Sequence, residues 1–351
     1  MNNLSPFPIV LDDLAVIEIT GADAIAFMHG QITHDIANLP ENAARVAGYC
    51  SPKGRLLGNL VIWRADNPQT PTLRALIKAD IAESIVKRLS MYVLRAKAKL
   101  NITGLSVLGI HLARNAQSPG GANVPKSGEA SLITDIAELP AKPTTWTVIH
   151  TSAGTWIAAP TADPRVDRWW HIASDSAVSN SGSTVDTAAS SDSHPEGAPG
   201  NGTNIEAGAW QTGDIAAGLP WIVAATQDLF IPQTLNLDLI DGISFTKGCY
   251  PGQEIVARSH YRGTVKRRMA HGWAEGAIES APTRLPAQDI YDAHHPDNPC
   301  GRVINAAYED RLHLLLEVQL SDLESAAFRL GHANGPAITL QALPYEIKAG
   351  A

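Results

Sequence analysis

Residues 247–254, Lys-Gly-Cys-Tyr-Pro-Gly-Gln-Glu, place one cysteine between glycines and a proline. Gly248 and Gly252 admit backbone angles that other residues avoid. Pro251 fixes its own φ and biases Tyr250 toward an extended form. The run from Gln253 to Ala257 then reads as the start of a helix, with Pro251 near its first turn. A thiol just ahead of a helix N-terminus and beside Lys247 is expected to be more acidic than a free one. Cys249 is therefore a candidate reactive or ligating thiolate, with Lys247 favouring its ionised form and Gln253 and Glu254 bracing the loop. The alternative reading is a tight turn around a buried, inert cysteine.

Three further groups of residues can do chemistry. Gly30-Gln31-Ile32-Thr33-His34-Asp35 puts Gln31, Thr33 and Asp35 just after an expected helix end, where they can orient a polar heterocycle or simply cap a turn. Arg258, His260, Arg262, Lys266, Arg267 and Arg268 form a basic cluster with no acid among them, suited to a phosphate, a polyglutamate tail or RNA. A solvated stretch between two domains explains it equally well. Trp210 opens the run Trp-Gln-Thr-Gly-Asp and offers a ring that can stack on a flat ligand, whereas Trp169 and Trp170 read as core. The histidines show no metal spacing, and His294-His295 sits in a Pro/Asp/Asn-rich loop that reads as exposed. There is no Gly-rich phosphate loop and no nucleophile elbow.

Composition narrows the field. The chain has 351 residues, 44% hydrophobic and 18% charged, with a formal net charge of −8. That length allows two or three domains, and the acidic balance disfavours bulk gripping of a phosphate backbone. Cys50, Cys249 and Cys300 are far apart and odd in number, which argues against a disulfide framework and against a metal or iron–sulfur site built by one chain alone. The first basic residue is Arg45 and no apolar run approaches membrane-spanning length. No signal peptide, transit peptide or membrane contact is expected, and reduced thiols suit the cytoplasm.

The elements that must position these groups can be read coarsely. Leu14–Thr20 reads as a strand. Asp23 is an expected N-cap for a helix over 24–29, which Gly30 closes. Runs 45–50 and 56–63 flank Ser51-Pro52-Lys53-Gly54, a hairpin turn signal. Residues 81–94 read as a helix with Ile81, Ile85, Leu89 and Tyr92 on one face. Residues 105–112 and 146–150 read as strands on either side of a Pro/Gly/Asn-rich loop at 115–128. Residues 174–204 contain no aromatic residue, Leu or Ile before the order resumes, and read as a disordered polar insertion. Short strands after 264, including 269–273, 302–307 and 312–320, predict a small β-barrel. The expected fold is α+β, with a core of 1–100 plus 205–263, a middle α+β domain over 101–173, and the barrel over 264–351.

The order of these pieces resembles the YgfZ-type folate-binding proteins, relatives of the aminomethyltransferase (T-protein) of the glycine cleavage system. The resemblance rests on Ile19-Thr-Gly-Ala-Asp23, Gly30-Gln-Ile-Thr33 and Cys50-Ser-Pro-Lys-Gly-Arg55. It continues over 210–220 and 230–236, and ends in Lys247-Gly-Cys-Tyr-Pro-Gly-Gln-Glu254, the signature of that family. It implies three domains around a central hole that binds tetrahydrofolate or a derivative, and a role in maintaining iron–sulfur enzymes, including those that modify tRNA. By resemblance, Leu14 and Trp210 would contact the folate ring, with the Gln31–Asp35 turn meeting its polar edges and Cys249 at the rim.

Two positions depart from the pattern. Aminomethyltransferases carry an Asp-Asp pair after the hairpin, one of them catalytic; here the pair reads Gly58-Asn59, and a neutral Asn59 cannot act as a base. Leu14 stands where close relatives have a tryptophan, so a stacking face is lost. The favoured expectation is a folate-binding accessory protein for iron–sulfur assembly or repair, with iron–sulfur proteins as partners. A folate-dependent one-carbon transferase and a tRNA-binding module working through Arg258, Arg262, Lys266, Arg267 and Arg268 are the alternatives.

Overall fold

The computed structural model describes residues 8–67, 69–114, 129–173, 203–261, 265–275 and 280–347. Along the chain come β1 (Ile9–Val10), β2 (Leu14–Thr20), α1 (Ala24–His29), β3 (Arg45–Cys50), β4 (Leu56–Arg64) and β5 (Thr72–Lys78). They are followed by α2 (Ala79–Val93), β6 (Lys99–Ile102), β7 (Val107–Ala113), α3 (Glu129–Glu138), β8 (Val148–His150), β9 (Gly154–Ala159) and β10 (Val166–Ala173). Next are α4 (Thr203–Ala216), α5 (Gln253–Tyr261), β11 (Arg267–Glu275), β12 (Asp289–Asp292), β13 (His295–Tyr308), β14 (Leu312–Gln319), β15 (Phe328–Leu330) and β16 (Ala337–Gln341).

The strands form two open antiparallel sheets and a closed barrel, in the orders β3-β4-β5-β2-β6, β1-β7-β10-β9-β8 and β11-β14-β13-β12-β15-β16. The α+β class and the C-terminal barrel expected from the sequence are both present. β1 pairs with β7, Ile9 opposite Gly109, so the first strand crosses from the N-terminal segment into the second sheet. The polar stretch 174–202 and the loop 115–128 lie outside the described residues. The helix carrying Trp210 already starts at Thr203, so the last two residues of the expected insertion belong to α4.

Local readings hold where pattern and packing agree. Ile81, Ile85 and Leu89 recur at helical spacing and are buried in α2, which packs on the first sheet. Tyr92 does not continue that face: α2 ends at Val93, Leu94 takes φ 43°, and the Tyr92 ring faces solvent. Asp23 makes no cap through its side chain. Its Oδ2 instead accepts the Lys97 backbone N–H at 2.7 Å, tying α1 to the segment after α2. Gly30 closes α1 in a right-handed conformation, its N–H reaching Ala26 O and Phe27 O. Trp169 and Trp170 are fully buried, and His294 and His295 are exposed around Asp292.

Candidate functional site

The two motifs more than two hundred residues apart are joined through one lysine. Lys247 is buried, and its Nζ donates to the carbonyls of His29 and of Ile32, the latter at 2.7 Å. Thr33 is also fully buried. Its Oγ1 donates to Gly242 O at 2.6 Å and accepts Gly48 N–H at 2.8 Å, and its carbonyl accepts Ser244 N–H at 2.9 Å. Lys247 and Thr33 thus hold the 29–35 turn, strand β3 and the 242–249 segment together, so Thr33 is a structural clamp and its hydroxyl is not free for a ligand.

The Lys247 ammonium is thus held by backbone carbonyls and lies 5.0 Å from the Tyr250 ring centroid, close enough to Cys249 to interact with it electrostatically. Burial pulls its pKa down to about 8, with Asp35 and Cys249 partly offsetting that fall. Gln31 Oε1 is buried without a hydrogen-bond partner. Asp35 accepts from Asn38 Nδ2 at 2.8 Å and lies 3.2 Å from His29 Nδ1; those Asn38 bonds keep its carboxyl below the usual range.

Cys249 itself is exposed, so the buried, inert reading does not apply to it. Cys50, on the adjoining hairpin, is buried and pushed up to about 12. Gly252 fixes how the loop meets that hairpin. It has φ +78°, and a Cβ there would stand 2.4 Å from Ser51 O and 2.7 Å from Gly54 Cα. Gly248 is open by comparison, with His29 Nε2 at 3.6 Å as the near neighbour of a Cβ. Tyr250 is buried, Gln253 begins α5 as expected, and Glu254 and Arg258 are exposed along it.

The basic cluster does not persist as a unit. Arg268 is buried and paired with both oxygens of Asp238, at 2.6 and 3.0 Å. Arg267 donates to Glu317 Oε1 at 2.6 Å and to Cys300 O at 2.8 Å. Strand β11 turns Arg267 onto its barrel neighbours and Arg268 onto the 233–238 segment outside the barrel. Arg258, His260 and Lys266 remain exposed, and Arg262 lies outside the described residues.

The two positions expected to contact a flat ring both turn inward. Leu14 is buried at the start of β2. Trp210 is 1% exposed, with the Arg168 guanidinium 4.1 Å from its ring centroid and the His111 ring stacked at 5.2 Å. Neither ring face of Trp210 is offered to a ligand. Their sequence neighbours do the lining instead. A cleft of about 500 Å³ between the first sheet, α4 and the barrel is walled by Asp13, Lys78, Asp80, Gln211, Trp221 and Asn305, among others.

Within that cleft Asp13 Oδ2 accepts from Lys78 Nζ and, at 2.8 Å, from Gln211 Nε2. Burial pushes the Asp13 carboxyl up, but Lys78 and Gln211 outweigh it and hold it below its usual value. Lys78 also lies 5.5 Å from the Trp221 ring centroid, and Trp221 Nε1 donates to Asp214 Oδ2 at 2.9 Å. None of Gln31, Thr33, Asp35, Lys247 and Cys249 lines the cleft, so the structure does not bring the thiol loop and this cavity into one site. Sequence reading missed Asp13, Lys78, Gln211 and Trp221. The usable signal was adjacency, since two of them flank the positions singled out.

Asn59 has a structural role. Its Nδ2 donates to Pro220 O at 2.8 Å and its Oδ1 accepts Ile222 N–H at 2.7 Å, pinning the 220–222 segment to β4. Among the described residues no helix is long and apolar enough to cross a membrane.

Comparison with known proteins bears on the chain and its fold as a whole. No family model matches the chain. The tRNA-modifying protein YgfZ of Klebsiella pneumoniae is 28% identical over 344 residues, covering 96% of this chain and 92% of the relative. That of Photobacterium profundum is 29% identical over 343 residues, covering 96% and 91%. The crystal structure of glycine cleavage system aminomethyltransferase T from Bartonella henselae superposes with a TM-score of 0.60 at 12% identity, over 96% of this chain and 85% of that one. The chain is a homologue of the YgfZ proteins and is built on the aminomethyltransferase T fold.

Proposed function

We propose that this protein binds tetrahydrofolate or a derivative in the cleft beside Asp13 and Gln211. The observation that carries this reading is the donor set of the cleft. It is concave and partly apolar, and its volume is within the usual range for small-molecule sites. Asp13 and Asp80 supply acceptors suited to the N–H edge of an aminopyrimidine ring. Trp221 supplies an aromatic wall, and Lys78, paired with Asp13, holds that carboxylate ionised as an acceptor. A bound folate would contribute a one-carbon carrier. The chain's own residues bind and orient it, and with Asn59 held by backbone groups no carboxylate stands where aminomethyltransferases place theirs.

Calorimetric titration with tetrahydrofolate tests this directly. Micromolar-range binding, weakened at least tenfold by Gln211→Ala with the thermal midpoint retained, is the expected result. Absence of binding to the intact protein ends the reading.

We further infer an accessory role toward iron–sulfur enzymes, including those acting on tRNA, with exposed Cys249 as the working thiol. The names of the relatives support the tRNA link for those proteins. One thiol cannot hold a cluster, so a partner must supply further ligands. Cys249→Ala should abolish rescue of a strain lacking the homologous gene while leaving fold and folate binding unchanged. Full rescue by the variant removes the thiol from the mechanism.

A further inference from the structure

Among the described residues a second group of exposed cations lies outside the 258–268 cluster. From Ser84 through Gly128 the chain has no Asp or Glu, yet it carries Lys87, Arg88, Arg95, Lys97 and Lys99 within the first sixteen of those residues. These fall on the last two turns of α2 and on the arm leading into β6. Lys87, Arg95, Lys97 and Lys99 are exposed, and among the described residues none has an ion-pair partner. Contrast Arg267, Arg268, Arg302 and Arg311, each tied to a carboxylate.

The same stretch of chain carries apolar side chains that also face solvent. Met91 and Tyr92 are exposed, and Leu94 is 87% exposed at the end of the helix. Tyr92 lies one turn from Arg88 on α2. The arm is held in place rather than loose. Asp23 N–H donates to Lys97 O at 3.1 Å, and Asp23 Oδ2 takes the Lys97 N–H. Gly21, at φ +121°, leaves room for that carbonyl where a Cβ would stand 2.1 Å away. The lysine side chains are thus presented from a fixed backbone.

Lysine on an edge strand can serve only to block sheet-to-sheet pairing, and β6 is an edge. That accounts for Lys99 but not for Lys87 and Arg95, nor for an exposed Tyr92 and Leu94 between them. Exposed cations and an exposed aromatic ring in one stretch are features that bind a nucleic-acid strand with an unstacked base. An acidic protein surface would use the charges and leave the ring without a role.

We propose that the α2 end and the arm into β6, with exposed Lys87, Arg95, Lys97 and Lys99 together with Tyr92, form a docking surface for RNA containing an unpaired loop. This goes beyond the folate reading and does not depend on it.

The test is fluorescence anisotropy with a labelled, unmodified tRNA transcript, over a series of salt concentrations, using the full chain. The variant Lys87→Ala/Arg95→Ala/Lys97→Ala/Lys99→Ala should bind at least tenfold more weakly. Its dependence of log affinity on log salt should be shallower by about three to three and a half, since each of the four phosphate contacts contributes roughly 0.7–0.9. Tyr92→Ala should weaken binding several-fold with the salt slope unchanged. The control Arg258→Gln/Lys266→Gln should bind like the parent protein. All substituted side chains are exposed, and unchanged thermal midpoints confirm that fold is preserved. The proposal is overturned if the parent protein does not bind the transcript, if the control loses as much affinity as the quadruple variant, or if poly-glutamate displaces the RNA at equal charge concentration. The last outcome would assign the surface to an acidic protein.

Discussion

The guanidinium carbon of Arg168 lies 4.1 Å from the centroid of the Trp210 ring, and the same Arg168 is joined to the cleft wall through Asp214. Arg168 Nη2 donates to Asp214 Oδ1 at 2.8 Å, while Asp214 Oδ2 accepts from Trp221 Nε1. Trp210 is therefore a buried support two contacts behind the cleft. Trp210→Ala should lower stability by about 3–5 kcal/mol, the range for large aromatic truncations in a core. Trp210→Phe should keep most of it. Urea denaturation of both variants checks this, and a Trp210→Ala protein as stable as the parent would contradict the packing described.

Two buried histidines and a half-buried one make the fold acid-sensitive. Burial pulls His111, His171 and His271 down to about 4, helped by Arg168 at His111 and by His313 at His271, and opposed by Asp135 at His171. In the unfolded chain they titrate near 6.5, so between pH 6.5 and about 4 the unfolded state binds more protons and stability falls as the pH falls. Stability should be level above 6.5 and drop below it, by at most about 1.4 kcal/mol per pH unit for each histidine. Urea midpoints across that range, with His171→Gln flattening the slope by up to one proton, are the measurement.

Gly252→Ala should cost about 2 kcal/mol or more, because alanine must adopt a left-handed backbone and press into the 51–54 turn. Gly248→Ala, which meets open space, should be close to neutral. Equal thermal midpoints for the two variants would rule out the docking of this loop on the hairpin.

The three cysteines should separate by reactivity. At pH 8 an aromatic disulfide reagent should modify Cys249 first. Cys50 is buried and raised to about 12, and burial, then Asp292 and Asp322, raise Cys300 to about 11. One equivalent of fast thiol is expected in the native protein and none in Cys249→Ser. A fast phase surviving in that variant would count against this ordering.

Asn59→Asp restores a carboxylate where aminomethyltransferases have one, yet it should not create that activity. The acid would lose the donor to Pro220 O and face that carbonyl in a buried setting. A loss of about 1–3 kcal/mol is expected at neutral pH, from an unsatisfied buried group. Equilibrium denaturation, beside an assay for aminomethyl transfer to tetrahydrofolate, distinguishes destabilisation from gained chemistry.

The sequence by itself determined what depends on neighbours a few residues away. The hairpin around Ser51–Gly54, the start of α5 after Pro251, the buried face of α2 and the barrel strands each follow from local turn chemistry or from the period of apolar residues. The exposure of Cys249 and the direction of Lys247 depend on the turn at 29–32 and the hairpin at 51–54, groups far away in the chain. Only the tertiary structure decided that Trp210 and Leu14 face the core while Asp13 and Gln211 face the cleft. On a strand, adjacent residues point to opposite faces, and on a helix they point about 100° apart. A motif can thus mark the right segment and the wrong side chain. In the same way, pairing across the barrel and with Asp238 neutralised Arg267 and Arg268, while Lys87, Arg95, Lys97 and Lys99 on the acid-free segment after Glu83 stay exposed.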